Sequence, residues 1–224
     1  MDNKQPDVWE RDYTIEGTEP EKPSNHPAVA RFWREYSYDA VRLFLNQFVT
    51  AIFGLVLALA AGMMGDEKNF GLMAATSVGA TLFYLFLTYL SAWSVGSRDR
   101  LSVETGKRKL NLLYPLFTSL LANSLNYVAV LIYAAGMLSG VGNLAGVGKL
   151  AGLLLQGMYA GLLSIEVTVG AEAQPLHNFF WMFILSTLPS VLMTLFAYMM
   201  GLKDKHLTGM LKPQMPLSDR DRKK

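Results

Sequence analysis

The 224-residue chain is 51% hydrophobic and 17% charged, whereas soluble domains carry about 25% charged residues. It contains no cysteine, which excludes disulfides, thiolate metal sites and cysteine-linked lipid anchors. The net charge of +2 conceals an uneven distribution of charged residues along the chain. No charged residue occurs in the stretches 43–65, 69–97, 110–148, 150–165 and 173–202. Since about 20 apolar residues cross a hydrocarbon core, the sequence predicts an all-α integral membrane protein, a bundle of four transmembrane helices.

Two segments are predicted before the first span. Residues 1–24 are rich in Asp, Glu and Pro, which predicts an acidic flexible tail, with a docking peptide as the alternative. The polar first 40 residues indicate that there is no cleavable signal peptide. Residues 25–42 combine a proline suited to a first helical turn with apolar residues at helical spacing, which predicts an amphipathic helix on the inner headgroups. We interpret this helix as an anchor, with partner docking as the alternative.

The membrane domain is predicted to cover 43–202. Its four spans are expected at about 43–64, 70–96, 112–138 and 178–201. A tight turn at 65–69 joins the first two spans, and Pro115 opens the third. Pro189 lies within the fourth span and is expected to kink it.

The distribution of Lys and Arg predicts that both termini are cytoplasmic. With four spans, the N-terminal segment, the loop 97–111 and the tail 203–224 share one side and carry 18 of the 20 Lys and Arg residues. Cytoplasmic segments carry this excess, and a fifth crossing at 150–165 would move the basic tail outside. The tail 203–224 is therefore read as a basic cytoplasmic tail that contacts anionic lipid, with no nucleic-acid partner.

An apolar, glycine-rich insertion is predicted on the outer side, at 139–176. It contains GNLAGV followed directly by GKLAGL, and its glycines recur four residues apart. In a helix this spacing makes a flat face for close packing, so Gly157 and Gly161 are candidate helix-packing residues. A short helix is expected at 150–165, tucked against the bundle, and the pattern alone leaves open whether it crosses, dips into or lies on the membrane.

Each predicted span carries one line of small or polar residues at helical spacing, which should face the bundle interior because lipid favours apolar surface. In the second and third spans these residues are Ser77, Thr81, Tyr84, Thr88, Ser91, Ser119, Asn123 and Asn126. They are interpreted either as a dry polar seam that bonds helices together or as the lining of a hydrated path. The four spans contain no Asp, Glu, Lys, Arg or His, which argues against a proton-coupled pump and is compatible with Na⁺ coordination by hydroxyls and carbonyls.

The residues best suited to catalysis lie in the outer segment: Glu166, Glu172 and His177. Carboxylates and imidazole bind metals or transfer protons, but the chain has no HExxH spacing, phosphate-binding loop or nucleophile elbow. No catalytic, metal or cofactor site is therefore predicted.

These patterns favour a non-enzymatic multi-pass protein of the cell membrane that acts as a subunit or assembly component of a membrane complex. Its expected partners are the lipid bilayer and either further copies of itself or other membrane subunits. The alternative is a small channel or permease component for a neutral or weakly charged solute. A membrane enzyme that uses the outer glutamates and histidine is the third hypothesis.

Overall fold

The computed structural model describes residues 28–64, 70–105, 111, 113–169 and 172–205, most of them helical. The α-helices are α1 (Ala28–Met64), α2 (Phe70–Glu104), α3 (Tyr114–Ala122), α4 (Ser124–Ser139), α5 (Gly142–Leu155), α6 (Ala160–Leu163), α7 (Phe180–Leu185) and α8 (Leu188–Leu202). Short 3-10 turns occupy Gly157–Tyr159 and Leu176–Asn178, and a hairpin pairs β1 (Glu166–Val169) with β2 (Glu172–Pro175). The predicted acidic tail, the turn 65–69 and all but the first residues of the basic tail lie outside the described residues.

Three described segments are long and apolar enough to cross a membrane: Tyr36–Met64, Gly71–Glu104 and Phe180–Leu202. Two bent pairs pass the same test when each pair is taken together, α3 with α4 at 52° and α5 with the helical turns that follow it at 87°. Large apolar side chains such as Leu59 and Leu192 are exposed on the outer faces of these helices, where lipid would cover them. The prediction of an all-α membrane protein is confirmed at this level, with three to five candidate spans.

Two predicted boundaries are wrong. A separate amphipathic helix was expected to end near residue 42, but α1 is one helix of 37 residues, because no Gly or Pro interrupts the chain at that point. A loop was expected from residue 97, but α2 continues to Glu104. Arg100 bonds to Glu104 at 3.1 Å, one turn further along, and such pairs stabilise helices rather than end them.

The third and fourth predicted spans are both interrupted. In the fourth, the interruption lies at 186–187 and Pro189 is in the first turn of α8, since proline has no N–H to bond the carbonyl four residues earlier. In the third, the backbone and side-chain amides of Asn123 both donate to the Ser119 carbonyl, at 3.0 and 2.9 Å. This local competition for one acceptor accompanies the bend between α3 and α4.

The insertion predicted at 139–176 forms two arms that turn at Gln156, rather than one short helix at 150–165. The first arm, α5, packs closely on α4, so that a Cβ on Gly148 would lie 2.3 Å from the backbone nitrogen of Tyr133. The second arm places Gly157 against Ala51 of α1 and Gly161 against Met73 of α2. The insertion therefore reaches into the bundle and contacts several of its helices.

A network of charged and phenolic groups joins α1, α2 and α3 at one end of the bundle. The Arg98 guanidinium donates to both carboxylate oxygens of Asp39, at 3.0 and 3.1 Å. The Tyr114 hydroxyl donates to the same carboxylate at 2.8 Å, and Asp39 is only 6% exposed. A nearly buried carboxylate is thus held by one cation and one phenol.

Candidate functional site

The helix interruptions at Asn123, at Gln156 and at 186–187 lie next to one another inside the bundle. Residues from these breaks, together with others from α1, α2 and α8, enclose one space that we call the polar centre. Its lining consists of Gln47, Tyr84, Asn123, Gln156, Met158, Tyr159, Ser186, Thr187 and Ser190. Eight of these nine side chains carry a hydrogen-bonding group, which is an unusual concentration for the interior of an apolar helical bundle.

Side-chain amides hold the breaks together by bonding carbonyls near helix ends. Gln47 Nε2 donates to the Leu155 carbonyl at the end of α5, at 3.3 Å. Gln156 Nε2 donates to the Phe183 carbonyl in α7, at 2.9 Å, and its oxygen accepts from the Ser186 hydroxyl. Because the last carbonyls of a helix lack intrahelical partners, these two glutamines take the place that water would fill in a soluble protein.

The two asparagines of the third predicted span bond mainly to each other and to their own segment. Asn126 Nδ2 donates to Asn123 Oδ1 at 3.0 Å, and both residues are 3% exposed or less. The contact from Asn123 to Ser190 of α8 is 3.5 Å long, at the outer limit for a hydrogen bond. The asparagines therefore contribute little direct bonding between helices, and their main role is to shape the break.

The hydroxyl line of the second predicted span faces the interior, where Ser77, Tyr84, Thr88 and Ser91 are buried and Thr81 is half-buried. Ser77 accepts a hydrogen bond from the Gly161 backbone at 2.7 Å, and Thr81 donates to the Met158 carbonyl at 3.4 Å. Ser91 lies away from the centre and accepts from the amide of Asn46 at 2.8 Å. Ser119 is buried beside Asn123. Ser77 and Thr81 of this line thus bind the second arm of the insertion to α2.

Three buried oxygens in or beside the polar centre have no hydrogen-bond partner among the described residues: Gln47 Oε1, Asn126 Oδ1 and Tyr159 Oη. Gln47 and Tyr159 line the centre directly, and Asn126 bonds to Asn123, which also lines it. The enclosed space is smaller than a water molecule. The centre is thus closed in this conformation and contains or borders two amide oxygens and one hydroxyl without a partner among the described residues.

Sequence reasoning missed Gln47, Gln156 and Tyr159. Gln156 is the one amide in the apolar run 150–165, and a lone amide in such a run marks a place where the backbone or a ligand needs a partner. Gln47 adjoins Asn46, which shares helical spacing with the small or polar residues Thr50, Gly54, Ala58 and Gly62 of the first span. Helical spacing alone therefore indicated the face of the first span that contains Asn46 and not the face that contains Gln47.

The outer glutamates and His177 do not come together as a metal-binding group. In the hairpin, Glu166 pairs with Pro175 and Glu172 pairs with Val169, so the two carboxylates lie at opposite ends of the ladder. Across the part of the chain that the structure describes, no group of three His, Cys, Asp or Glu residues is arranged to hold a metal. The sequence-based alternative of an outer metal site gains no support from this geometry.

His177 is expected to make stability depend on pH. Burial and the nearby positive charge of Lys149 lower its pKa, although a hydrogen bond from Nδ1 to the Leu163 carbonyl, at 3.1 Å, acts in the opposite direction. The folded protein therefore binds this proton less readily than the unfolded chain, whose histidine pKa is about 6.5. The contribution of neutral His177 to the stability of the fold should be fully present above pH 6.5 and should be lost as the pH falls towards the lowered pKa.

Thermal unfolding in detergent between pH 7.5 and 5 tests this expectation. The His177→Gln variant, which keeps a side-chain N–H donor, should lose less melting temperature on acidification than the wild type. Equal losses in the two proteins would show that His177 is not the group responsible.

Comparison with known proteins yields no relative: no protein-family model matches the chain, and no curated protein or solved structure is significantly similar to it. The site is therefore interpreted from its own geometry.

Proposed function

We propose that this chain is a non-enzymatic multi-pass protein of the cell membrane that works as a channel or permease component, and that a small neutral or weakly charged solute binds at the polar centre. The observation that supports this role is the meeting of three helix breaks at one buried polar site. Interrupted helices are costly in a membrane, where no water satisfies the freed backbone groups. Transport proteins retain such breaks because they form substrate and ion sites near mid-membrane.

The proposed threading has four crossings, formed by α1, α2, α3 with α4, and α7 with α8. Both arms of the insertion contact the short segment that leads into α7. Lys149 in the first arm bonds Asn178 at 2.6 Å, and the Leu163 carbonyl in the second arm bonds His177. The insertion therefore enters and leaves on the side of the membrane where α7 begins. With the Lys and Arg excess in the cytosol, the termini are cytoplasmic and the polar centre lies between the two membrane faces.

An assembly subunit is predicted from the lack of catalytic motifs, from the polar tails on the inner side and from glycine-rich faces that could pack against another chain. The folded protein gives these glycine faces another use. Gly157 and Gly161 make their closest contacts within this chain, with Ala51 and Met73. These glycines therefore explain how the insertion docks and do not by themselves indicate an oligomer.

Flux through the purified protein in liposomes tests the proposal. The panel is urea, glycerol, glycine, ammonium, Na⁺ and K⁺, with each flux compared with that of empty liposomes. At least one solute should cross about tenfold faster with the protein, and Gln156→Met should reduce that flux because an interaction with a buried amide is worth about a factor of 10. Gln174→Met is the matched control, since it removes the same amide from a half-buried position in the hairpin, which does not line the polar centre.

Two results would overturn the proposal. One is a flux no higher than that of empty liposomes for every solute of the panel. The other is a flux that Gln156→Met and Gln174→Met leave equally unchanged, while both variants remain folded and monodisperse in detergent.

A further inference from the structure

A second enclosed space lies between α1, α2, α3 and α8, beside the charged network at Asp39. We call it the inner pocket. Its volume is about 10 Å³, which is close to the smallest cavity that holds one water molecule. Its polar lining includes Asp39, Ser91, Tyr114, Thr118, Thr194 and Tyr198. A polar cavity of this size is suited to hold water, and Asp39 places a charged group in its wall.

The inner pocket lies in line with the polar centre along the bundle. On α8, Thr194 lines the pocket, and Ser190, four residues earlier, lines the centre. On α1 the same step separates Leu43 in the pocket from Gln47 in the centre. Residues four apart share one face of a helix and lie about 6 Å apart along its axis. The two spaces are therefore neighbours, about one helical turn apart.

The ion pair between Asp39 and Arg98 closes the inner pocket towards solution. Asp39 lines the pocket and is 6% exposed, whereas the side chain of Arg98 is 56% exposed. The guanidinium thus covers the carboxylate from the solvent side. An ion pair with one half-exposed partner is weak, because water competes for the cation. This closure consists of side chains, so it can open without the movement of a helix.

The closure on the outer side of the polar centre is of a different kind. A Cβ on Gly54 of α1 would lie 2.4 Å from the Cα of Met158, which lines the centre. A Cβ on Gly148 would lie 2.3 Å from the backbone nitrogen of Tyr133. These are contacts with backbone, which a rotamer change cannot relieve. Access from the outer side therefore requires an arm of the insertion to move.

We propose that the inner pocket is the entry site through which a solute reaches the polar centre from the cytoplasmic side, and that Asp39 and Arg98 form its gate. This inference rests on the proposed function and names how the same site is reached. When Arg98 turns towards water, Asp39 remains as a charged group in the wall and draws water into the pocket. A carboxylate only accepts hydrogen bonds, so the entry site favours a neutral or cationic solute that carries a donor.

The test is the labelling of single cysteines, since the chain itself contains none. Thr194→Cys places a thiol in the inner pocket, and Ser190→Cys places one in the polar centre. Both are treated in inside-out membrane vesicles with trimethylammonium-ethyl methanethiosulfonate, a cationic reagent that does not cross lipid. Adding Arg98→Ala should raise both labelling rates about tenfold or more, because thiols react when water reaches them. Mass spectrometry of the intact chain measures the labelled fraction.

Three controls separate an open gate from a loosened fold. Val130→Cys places a thiol in a buried apolar cluster, and its labelling should stay low with or without Arg98→Ala. Arg98→Lys keeps a cation beside the carboxylate and should keep the rates within about twofold of the wild type. Arg100→Ala removes a neighbouring arginine that pairs with Glu104 and Asp204 instead, so it should leave the rates unchanged.

The inference is overturned if Arg98→Ala leaves the labelling of Thr194→Cys unchanged or raises that of Val130→Cys equally. Labelling at Thr194→Cys without labelling at Ser190→Cys, or an equal rise in right-side-out vesicles, would also overturn it. The outcomes separate the two proposals. A rise at both positions in a protein without flux supports this entry and overturns the transport role, whereas flux with unchanged labelling supports the transport role and overturns this entry.

Discussion

Gly161→Ala is expected to lower the melting temperature of the protein by about 2–12 °C, since overpacking costs about 1–3 kcal/mol. An added Cβ would lie 2.1 Å from the Met73 carbonyl oxygen and 2.5 Å from the Ser77 hydroxyl. The Met73 oxygen belongs to the backbone of α2, so the contact cannot be relieved by a rotamer change. The arm must move away from α2, and the hydrogen bond from the Gly161 N–H to Ser77 is then lost as well.

Gly146→Ala is the matched control for this prediction. It lies in α5, and nothing is within 4 Å of the position that its Cβ would take. Alanine is favoured over glycine in a helix by up to about 1 kcal/mol, so this variant should melt at the same temperature or higher. Scanning fluorimetry in detergent measures both. If Gly161→Ala and Gly146→Ala have the same melting temperature, the second arm does not dock on α2 as described.

Arg98→Ala is expected to destabilise the protein by about 1–3 kcal/mol, less than the loss of a partner in a fully buried ion pair because Arg98 is itself half-exposed. Its removal leaves the Asp39 carboxylate, which is 6% exposed, with the Tyr114 hydroxyl as its one remaining hydrogen-bond donor among the described residues. The energetic cost is chiefly that of a buried charge without its counter-ion. Chemical or thermal unfolding of the purified variant measures the change.

The double variant Asp39→Asn with Arg98→Ala provides the control. Its amide oxygen can still accept from Tyr114, and no uncompensated charge remains. The double variant should therefore be more stable than Arg98→Ala alone. If it is less stable by the full sum of the two single changes, the two side chains act independently and the ion pair does not explain the effect.

The class of the protein and the inward-facing hydroxyl line were predictable from the sequence. The apolar composition of a segment predicts its burial without knowledge of its neighbours, because each long charge-free run must be covered by lipid or protein. The line from Ser77 to Ser91 follows in the same way from helical spacing, which sets the face that a residue occupies before any neighbour is known. The division of α1 near residue 42 and the end of α2 were misjudged because charged residues mark a membrane boundary without ending a helix.

Hydropathy by itself determined that this chain is a helical membrane protein with long apolar segments, because burial in lipid depends on the residues of each segment alone. Only the tertiary structure decided that the breaks at Asn123, Gln156 and 186–187 meet at one place. It also decided that Gln47 faces that place from α1. A polar side chain in an apolar run becomes a site only through the groups that other helices bring to it, and those distances are set by packing between segments far apart in the chain.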